Sequence, residues 1–325
     1  MSQITASETS PALRASPRLK QAAMLGLRRG VRGTIWIARI LVPVSLAVAL
    51  LDWTGWLYAL DPVFSPVMAL INLPPQAALP LLSALFSSFY TAVAMMLVIP
   101  FTHAQFILMA IFISIAHMIV VEGLIQHKAG MHAAAITAIR LAAAGITVYM
   151  ASLFLTGTEA PVVLPDTLGQ QAPILDVLAT WALATLELML KLLVLMVFVM
   201  VLIEAMTEFG FTERVAKLFR PFMAVMGLSP NVATMWVAGT FFGIVCGAAV
   251  IVDESASGRY SRDELRRLHM SLGICHSMIE DPVLFLALGI GLQWTVLPRL
   301  VAAILTVQLY RLSRAVLVRL RPSRS

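Results

Sequence analysis

Apolar residues fall in runs separated by short polar connections. In the first half of the chain the runs cover about 33–57, 77–99, 103–124 and 131–155; in the second half they cover about 175–206, 231–252, 269–287 and 294–312. A helix rises 1.5 Å per residue, so most of these runs are long enough to cross a hydrocarbon layer about 30 Å thick. Between the first and second run of each half lies a shorter amphipathic stretch, 60–72 or 212–226.

The two halves also match residue by residue. Phe64, Pro66, Met68, Ala69, Leu73 and Pro75 are each repeated 155 positions later as Phe219, Pro221, Met223, Ala224, Leu228 and Pro230. Further along the spacing becomes 159. There His117 pairs with His276, Glu122 with Asp281, Gly130 with Gly289 and Arg140 with Arg299. The four extra residues fall in the polar stretch around Asp253–Arg262. Repeated sequence with one loop insertion predicts two copies of a single structural unit. The division is a basic tail at 1–32, a first repeat at 33–156, a connecting loop at 157–174, a second repeat at 175–312 and a basic tail at 313–325.

Composition fixes the solvent. Of 325 residues, 60% are apolar or aromatic and only 12% are charged. The mean hydropathy is +0.89. A soluble chain carries about 25% charged residues to cover its surface, so a lipid bilayer is the expected partner of this one. The net charge of +6 does not indicate nucleic acid, because the basic residues sit in a few segments between apolar runs. The N-terminal segment is read as a basic cytoplasmic tail and not as a secretory signal. If all eight runs crossed the membrane, basic segments would fall on both sides. If the second run of each half instead enters and returns on one side, every basic segment lands together, including Arg214–Arg220, Arg259–Arg267 and the C-terminal arginines. Each half then crosses an odd number of times, and the two repeats are inverted. The predicted fold is an all-α integral membrane protein with two inverted-topology repeats. Each has about three spanning helices, an amphipathic helix and one re-entrant helical hairpin. Small residues suit the hairpins: Ser87 and Ser88 in one, Gly239, Gly243 and Gly247 in the other. The location implied is the bacterial cytoplasmic (inner) membrane, with both termini cytoplasmic.

Ionisable residues inside apolar runs are costly, about 2.5–3.5 kcal/mol each even by a lenient measure, and so mark sites. Glu187 and Lys191, four apart, pair on one helix face, most simply as a structural ion pair. The denser cluster is Leu272–Pro282. His269, His276 and Glu280 fall on one helical stripe, and Pro282 should break the helix beside Glu280 and Asp281. Imidazole, carboxylate and freed carbonyls together suit a cation, a proton or a polar solute. The first copy keeps His117 and Glu122, and Arg140 and Arg299 stand ready to neutralise the carboxylates. The substrate-binding set is therefore His276, Glu280, Asp281, His117, Glu122, Arg140 and Arg299. His269, His276 and Glu280 are the candidate metal ligands. A purely structural role, tying helices together, is the plainer alternative for such a set.

The second copy, from Gly239-Thr-Phe-Phe-Gly243 through Gly247-Ala-Ala-Val-Ile to His276-Ser-Met-Ile-Glu-Asp281, resembles the nucleoside recognition, or Gate, domain of bacterial inner-membrane proteins, including spore maturation proteins A and B. It is similar to the gate regions of ferrous-iron transporter B and of concentrative nucleoside transporters. The resemblance covers most of 35–155 and 180–310. It implies a transporter-like fold with re-entrant hairpins and roles for Gly243, Gly247, His276, Glu280 and Asp281. The phosphate loop of the iron transporter's GTPase is absent.

The leading expectation is a permease, or a permease subunit, for a small polar solute such as a nucleoside-like compound. A divalent metal transporter and a non-transporting membrane partner are the alternatives. The arginines opposite the carboxylates weigh against a metal. An enzyme is not expected, since neither HExxH nor GxSxG occurs. No cofactor is expected. The partners would be a small-molecule or ion substrate, the bilayer, and a homo-oligomer or a second gate-type subunit, with no nucleic acid.

Overall fold

A computed structural model describes residues 11–56, 59, 61–155 and 173–320. Among the described residues the fold is all-helical, with fourteen α-helices. In the first half these are α1 (Pro11–Trp53), α2 (Asp61–Ala69), α3 (Ala78–Phe86), α4 (Phe89–Val98), α5 (His103–Ala116), α6 (Ile119–Lys128) and α7 (Ala133–Ser152). In the second half they are α8 (Ile174–Glu208), α9 (Phe211–Val225), α10 (Ala233–Cys246), α11 (Ala248–Ala256), α12 (Arg262–Ile274), α13 (Glu280–Ala287) and α14 (Leu292–Leu320). The chain is a membrane protein. Among the described residues, four stretches are long and apolar enough to cross: His103–Lys128, Ala133–Ser152, Ile174–Met206 and Leu292–Leu317.

The amphipathic stretches become α2 and α9, close to where the sequence puts them. Each second run is divided. α3 and α4, with nine and ten residues, are about 14–15 Å long, half of what a bilayer requires. They pack on one another, and the chain turns between them at Ser87 and Ser88. Ser88 is extended and caps α4 by accepting a hydrogen bond from the Thr91 backbone N–H. The second copy turns at a glycine. Gly243 has φ +82° and ψ 161° inside α10, a conformation that side-chain-bearing residues avoid.

α1 and α8 run against each other as a long pair. Two small residues one turn apart on α1 lie tight against the α8 backbone. A Cβ on Gly26 would lie 2.5 Å from the Val201 Cα, and one on Gly30 2.6 Å from the Val197 Cα. Backbone atoms cannot yield as a side-chain tip can, so Gly26→Ala plus Gly30→Ala should separate the two helices. The expected result is a lower melting temperature in detergent and α1 newly open to protease. The same melting curve as wild type would refute the close packing.

α1 crosses the expected boundary at residue 32. Residues 11–32 are not a separate tail but the first part of a 43-residue helix. Ala, Leu, Arg and Lys favour helix, and this polar part is tied to the end of α8 by Arg29–Glu204 and Arg18–Glu208 ion pairs. α14 likewise runs past 312, to Leu320. Residues 157–172 of the connecting loop lie outside the described residues.

The core is continuous between the halves: α12 packs on α5 and α7, and α14 on α5 and α7. At one end, several basic segments meet. Arg267 donates to the Gly227 carbonyl (3.0 Å), Gln308 to that of Val225 (3.0 Å), and the Tyr310 hydroxyl to Asp263 (3.0 Å). His269 Nε2 donates to the Ala129 carbonyl, beside Lys128 (3.1 Å). Here Ser261 and Glu264 form a capping box for α12, and the donors of Ser261 hold the Glu264 carboxyl below its usual value.

Candidate functional site

The third run of each half is broken, and the two breaks meet. α5 ends at Ala116 and α6 starts at Ile119; α12 ends at Ile274 and α13 starts at Glu280. At both breaks one residue with a side chain takes positive φ: Met118 at 46° and Ser277 at 50°. Three contacts make this unfavourable backbone tenable, and they recur in both halves. The Met118 N–H donates to the Ala84 carbonyl (2.8 Å) and the Ser277 N–H to that of Gly239 (3.3 Å), tying each break to its hairpin. His117 Nδ1 donates to the Ile113 carbonyl (2.9 Å), and His276 Nδ1 to that of Leu272 (3.0 Å). Finally, an arginine from the following helix closes each broken end.

Arg140 donates from Nε to the Ile115 carbonyl (3.0 Å) and from Nη2 to that of His117 (2.7 Å), while Nη1 stands 2.7 Å from Glu122 Oε2. Arg299 donates from Nε to the Ile274 carbonyl (3.3 Å) and from Nη2 to that of His276, with Nη1 3.3 Å from Asp281 Oδ2. Carbonyls in the last turn of a helix have no partner within it and carry its negative end, so each guanidinium satisfies both. The carboxylates lie in the first turns of α6 and α13, where the positive end of a helix favours them. His117, Glu122, Arg140, His276, Asp281 and Arg299 are all at most 4% exposed.

Between the breaks, His117 Nε2 and His276 Nε2 are 3.4 Å apart. Glu122 reaches both: Oε1 is 3.4 Å from His117 Nε2, and Oε2 is 3.2 Å from His276 Nε2. The Phe89 ring lies edge-on to His117 and to Phe285, closing one side.

The structure thus gathers His117, Glu122, Arg140, His276, Asp281 and Arg299, and does not gather His269, His276 and Glu280. The stripe through those three assumes an unbroken helix. The chain instead leaves helical geometry at Cys275–Ile279, ahead of Pro282, which sits in the first turn of α13. His269 is left buried in the middle of α12, about two turns from His276, with its Nδ1 unpartnered. Glu280 is half-buried and accepts a hydrogen bond from the Tyr90 hydroxyl. Tyr90 has no signal in the sequence, because its position in the second copy is Val245. Glu187 and Lys191 do pair, at 2.7 Å, on an exposed face of α8.

The hairpin glycines sit where side chains have no room. A Cβ on Gly239 would come 2.8 Å from Leu272 Cδ2, one on Gly243 2.5 Å from Ser277 Oγ, and one on Gly247 3.0 Å from the Gly243 carbonyl oxygen.

Residues 189–316 match the Gate family, described as nucleoside recognition. The chain is similar to the uncharacterized membrane protein YvoD of Bacillus subtilis (strain 168), 26% identical over 297 residues that cover 88% of this chain and 93% of that protein. No solved structure matches.

Proposed function

We propose that this membrane protein, whose residues 189–316 match the Gate family, is a transporter or transporter subunit for a small polar solute. The solute would bind where the two broken helices meet. The observation that carries the reading is the doubled site: His, carboxylate and Arg recur at both breaks, 159 positions apart, and the two sets face each other in the buried centre. A merely structural ion pair does not call for two opposed helix breaks, whereas broken helices around a central site are how secondary transporters present charge to a substrate.

Inversion of the halves is supported by where equivalent elements sit. Asn72, after α2, donates to Ser152 at the end of α7 (2.7 Å). The equivalent turn after α9, at Gly227, lies against Arg311 and Val307 of α14. The start of α7, following Ala129, is at the His269 end of the molecule, which is the end that holds Gly227 and Tyr310. So α7 starts at the end where α14 finishes, and α2 and α9 lie at opposite ends. The basic segments at the Gly227 end support a cytoplasmic side for that end in a bacterial inner membrane, by the positive-inside rule. The family's description favours a nucleoside-like cargo.

The test is a ligand panel of nucleosides, nucleobases and organic acids on purified protein, followed by flux into proteoliposomes. A ligand at 100 times its Kd should stabilise the fold by about 2.7 kcal/mol. The shift should disappear in Glu122→Gln and Asp281→Asn variants that still insert, and flux of the same compound should fall with it. A panel member that moves equally well in wild type and in both variants would defeat the site assignment.

A further inference from the structure

The hydrogen bonding at the centre leaves three acceptor groups facing one another. A carbonyl oxygen only accepts, so the bonds to Ile113 and Leu272 put the proton of each histidine on Nδ1. Both Nε2 lone pairs then point into the gap, at 3.4 Å from each other, and the Glu122 carboxylate is 3.2–3.4 Å from both. Glu122 Oε2 is ion-paired with Arg140 Nη1 at 2.7 Å but accepts no aligned hydrogen bond. Three electron pairs converging in a buried space repel one another unless a proton or a metal ion lies among them. We propose that His117, Glu122 and His276 form a binding site for a late first-row divalent metal ion, with zinc as the representative.

Geometry supports an ion of that class. Zinc bonds to imidazole nitrogen and carboxylate oxygen are about 2.0–2.2 Å long, so neighbouring ligands of a tetrahedral ion stand about 3.3–3.5 Å apart. The two ring nitrogens, 3.4 Å apart, match that spacing; the carboxylate offers Oε1 to His117 at 3.4 Å and Oε2 to His276 at 3.2 Å, and with one oxygen chosen the three donor atoms lie within 4.8 Å of one another, so an ion would draw the carboxylate inward. Two imidazoles and one carboxylate make a donor set of borderline softness, which suits zinc and its neighbours and not calcium or magnesium. Metal-bound histidines also donate their other N–H to a carbonyl or carboxylate, which fixes the ring; both rings already do so. The set supplies three ligands and leaves a fourth position for solvent or solute.

The arginines do not exclude the ion. Two of three guanidinium nitrogens on each of Arg140 and Arg299 are engaged with backbone carbonyls. The third nitrogen of Arg140 faces Glu122 Oε2 at 2.7 Å, which leaves Oε1 directed at His117. The inference concerns the site named under the transport reading but does not require that anything moves.

The experiment is zinc titration of chelator-stripped, detergent-purified protein by calorimetry, with metal content counted after gel filtration. The spectrum of the cobalt(II) form would report four-coordination. Wild type should bind one ion per chain. His117→Ala, His276→Ala and Glu122→Gln should each weaken binding at least tenfold. His132→Ala, at an exposed histidine, should bind as wild type does. If the ligand variants fail to fold, the wild-type cobalt spectrum decides: absence of the four-coordinate visible band overturns the proposal. So does wild-type protein that retains no zinc above the stripped blank, or ligand variants that bind as tightly as wild type. Uptake of zinc into proteoliposomes separates cargo from resident ion. Bound zinc without flux of any compound would leave this site standing and remove the transport reading. Solute flux with no bound metal would do the reverse.

Discussion

Replacing Arg299 with methionine should destabilise the protein more than any other single change, by about 3–5 kcal/mol, the typical cost of removing one partner of a buried ion pair. Methionine keeps much of the length and apolar bulk, so the loss is not mainly a cavity. It comes from three groups that lose their partner together: the carbonyls of Ile274 and His276 and the Asp281 carboxylate. All three lie in a region with no access to water, and an unsatisfied buried acceptor costs about 1–3 kcal/mol, more if charged. The break at Ser277, with φ 50°, would then lose one of the contacts that holds it. Arg140→Met should act alike through Ile115, His117 and Glu122. The double variant Arg299→Met/Asp281→Leu isolates the ion pair: with the charge removed as well, part of the loss should return. Urea unfolding in detergent, or the yield of monodisperse protein where the variant is too unstable to titrate, reads the effect. An Arg299→Met protein as stable as wild type would mean the guanidinium does not close the end of α12.

Much of this architecture is legible in sequence because burial of charge leaves a mark. A membrane chain tolerates Arg140 and Arg299 inside apolar runs only where they have partners, and their recurrence 159 apart with His and carboxylate showed which partners to seek. The amphipathic helices could be read from repeated Pro and Met positions and the hairpins from small residues. The place of the helix breaks could not. Met118 and Ser277 take positive φ without being glycine, and what permits this is long-range: hairpin carbonyls at Ala84 and Gly239 and an arginine 22 residues further on in each half. For the same reason helical spacing groups His269 with His276, whereas the ionisable groups that face the His276 ring nitrogen are His117 and Glu122 of the other half. Periodicity reports what one helix presents, not what another chain segment brings to it. The polar N-terminal stretch has the local character of a tail, because nothing in its own sequence shows that Glu204 and Glu208 lie opposite its arginines.

Substituting alanine at Gly243 should disable the second hairpin, through backbone and sterics at once. Its φ of +82° with ψ 161° belongs to glycine almost exclusively, and forcing another residue there costs on the order of 1–3 kcal/mol. In addition, the new Cβ would meet Ser277 Oγ at 2.5 Å. Ser277 cannot retreat freely, since its own backbone is at positive φ and its N–H is bonded to the Gly239 carbonyl. The two contributions can be separated. Ser277→Gly removes the hydroxymethyl group and also relaxes the left-handed backbone at 277, so Gly243→Ala/Ser277→Gly should recover the steric part of the loss and keep the backbone part. Because Ser277 adjoins His276, the displacement should also reach the centre and weaken ligand binding by more than the change in melting temperature alone would suggest. By contrast, Ser88→Ala at the corresponding turn of the first hairpin removes a cap, which costs about 0.5–2 kcal/mol, and adds no clash. Melting temperatures of these variants would rank the two turns. Equal, small effects at Gly243 and Ser88 would show that the second hairpin does not need its glycine. A Gly243→Ala defect unrelieved by Ser277→Gly would place the whole cost in the backbone conformation.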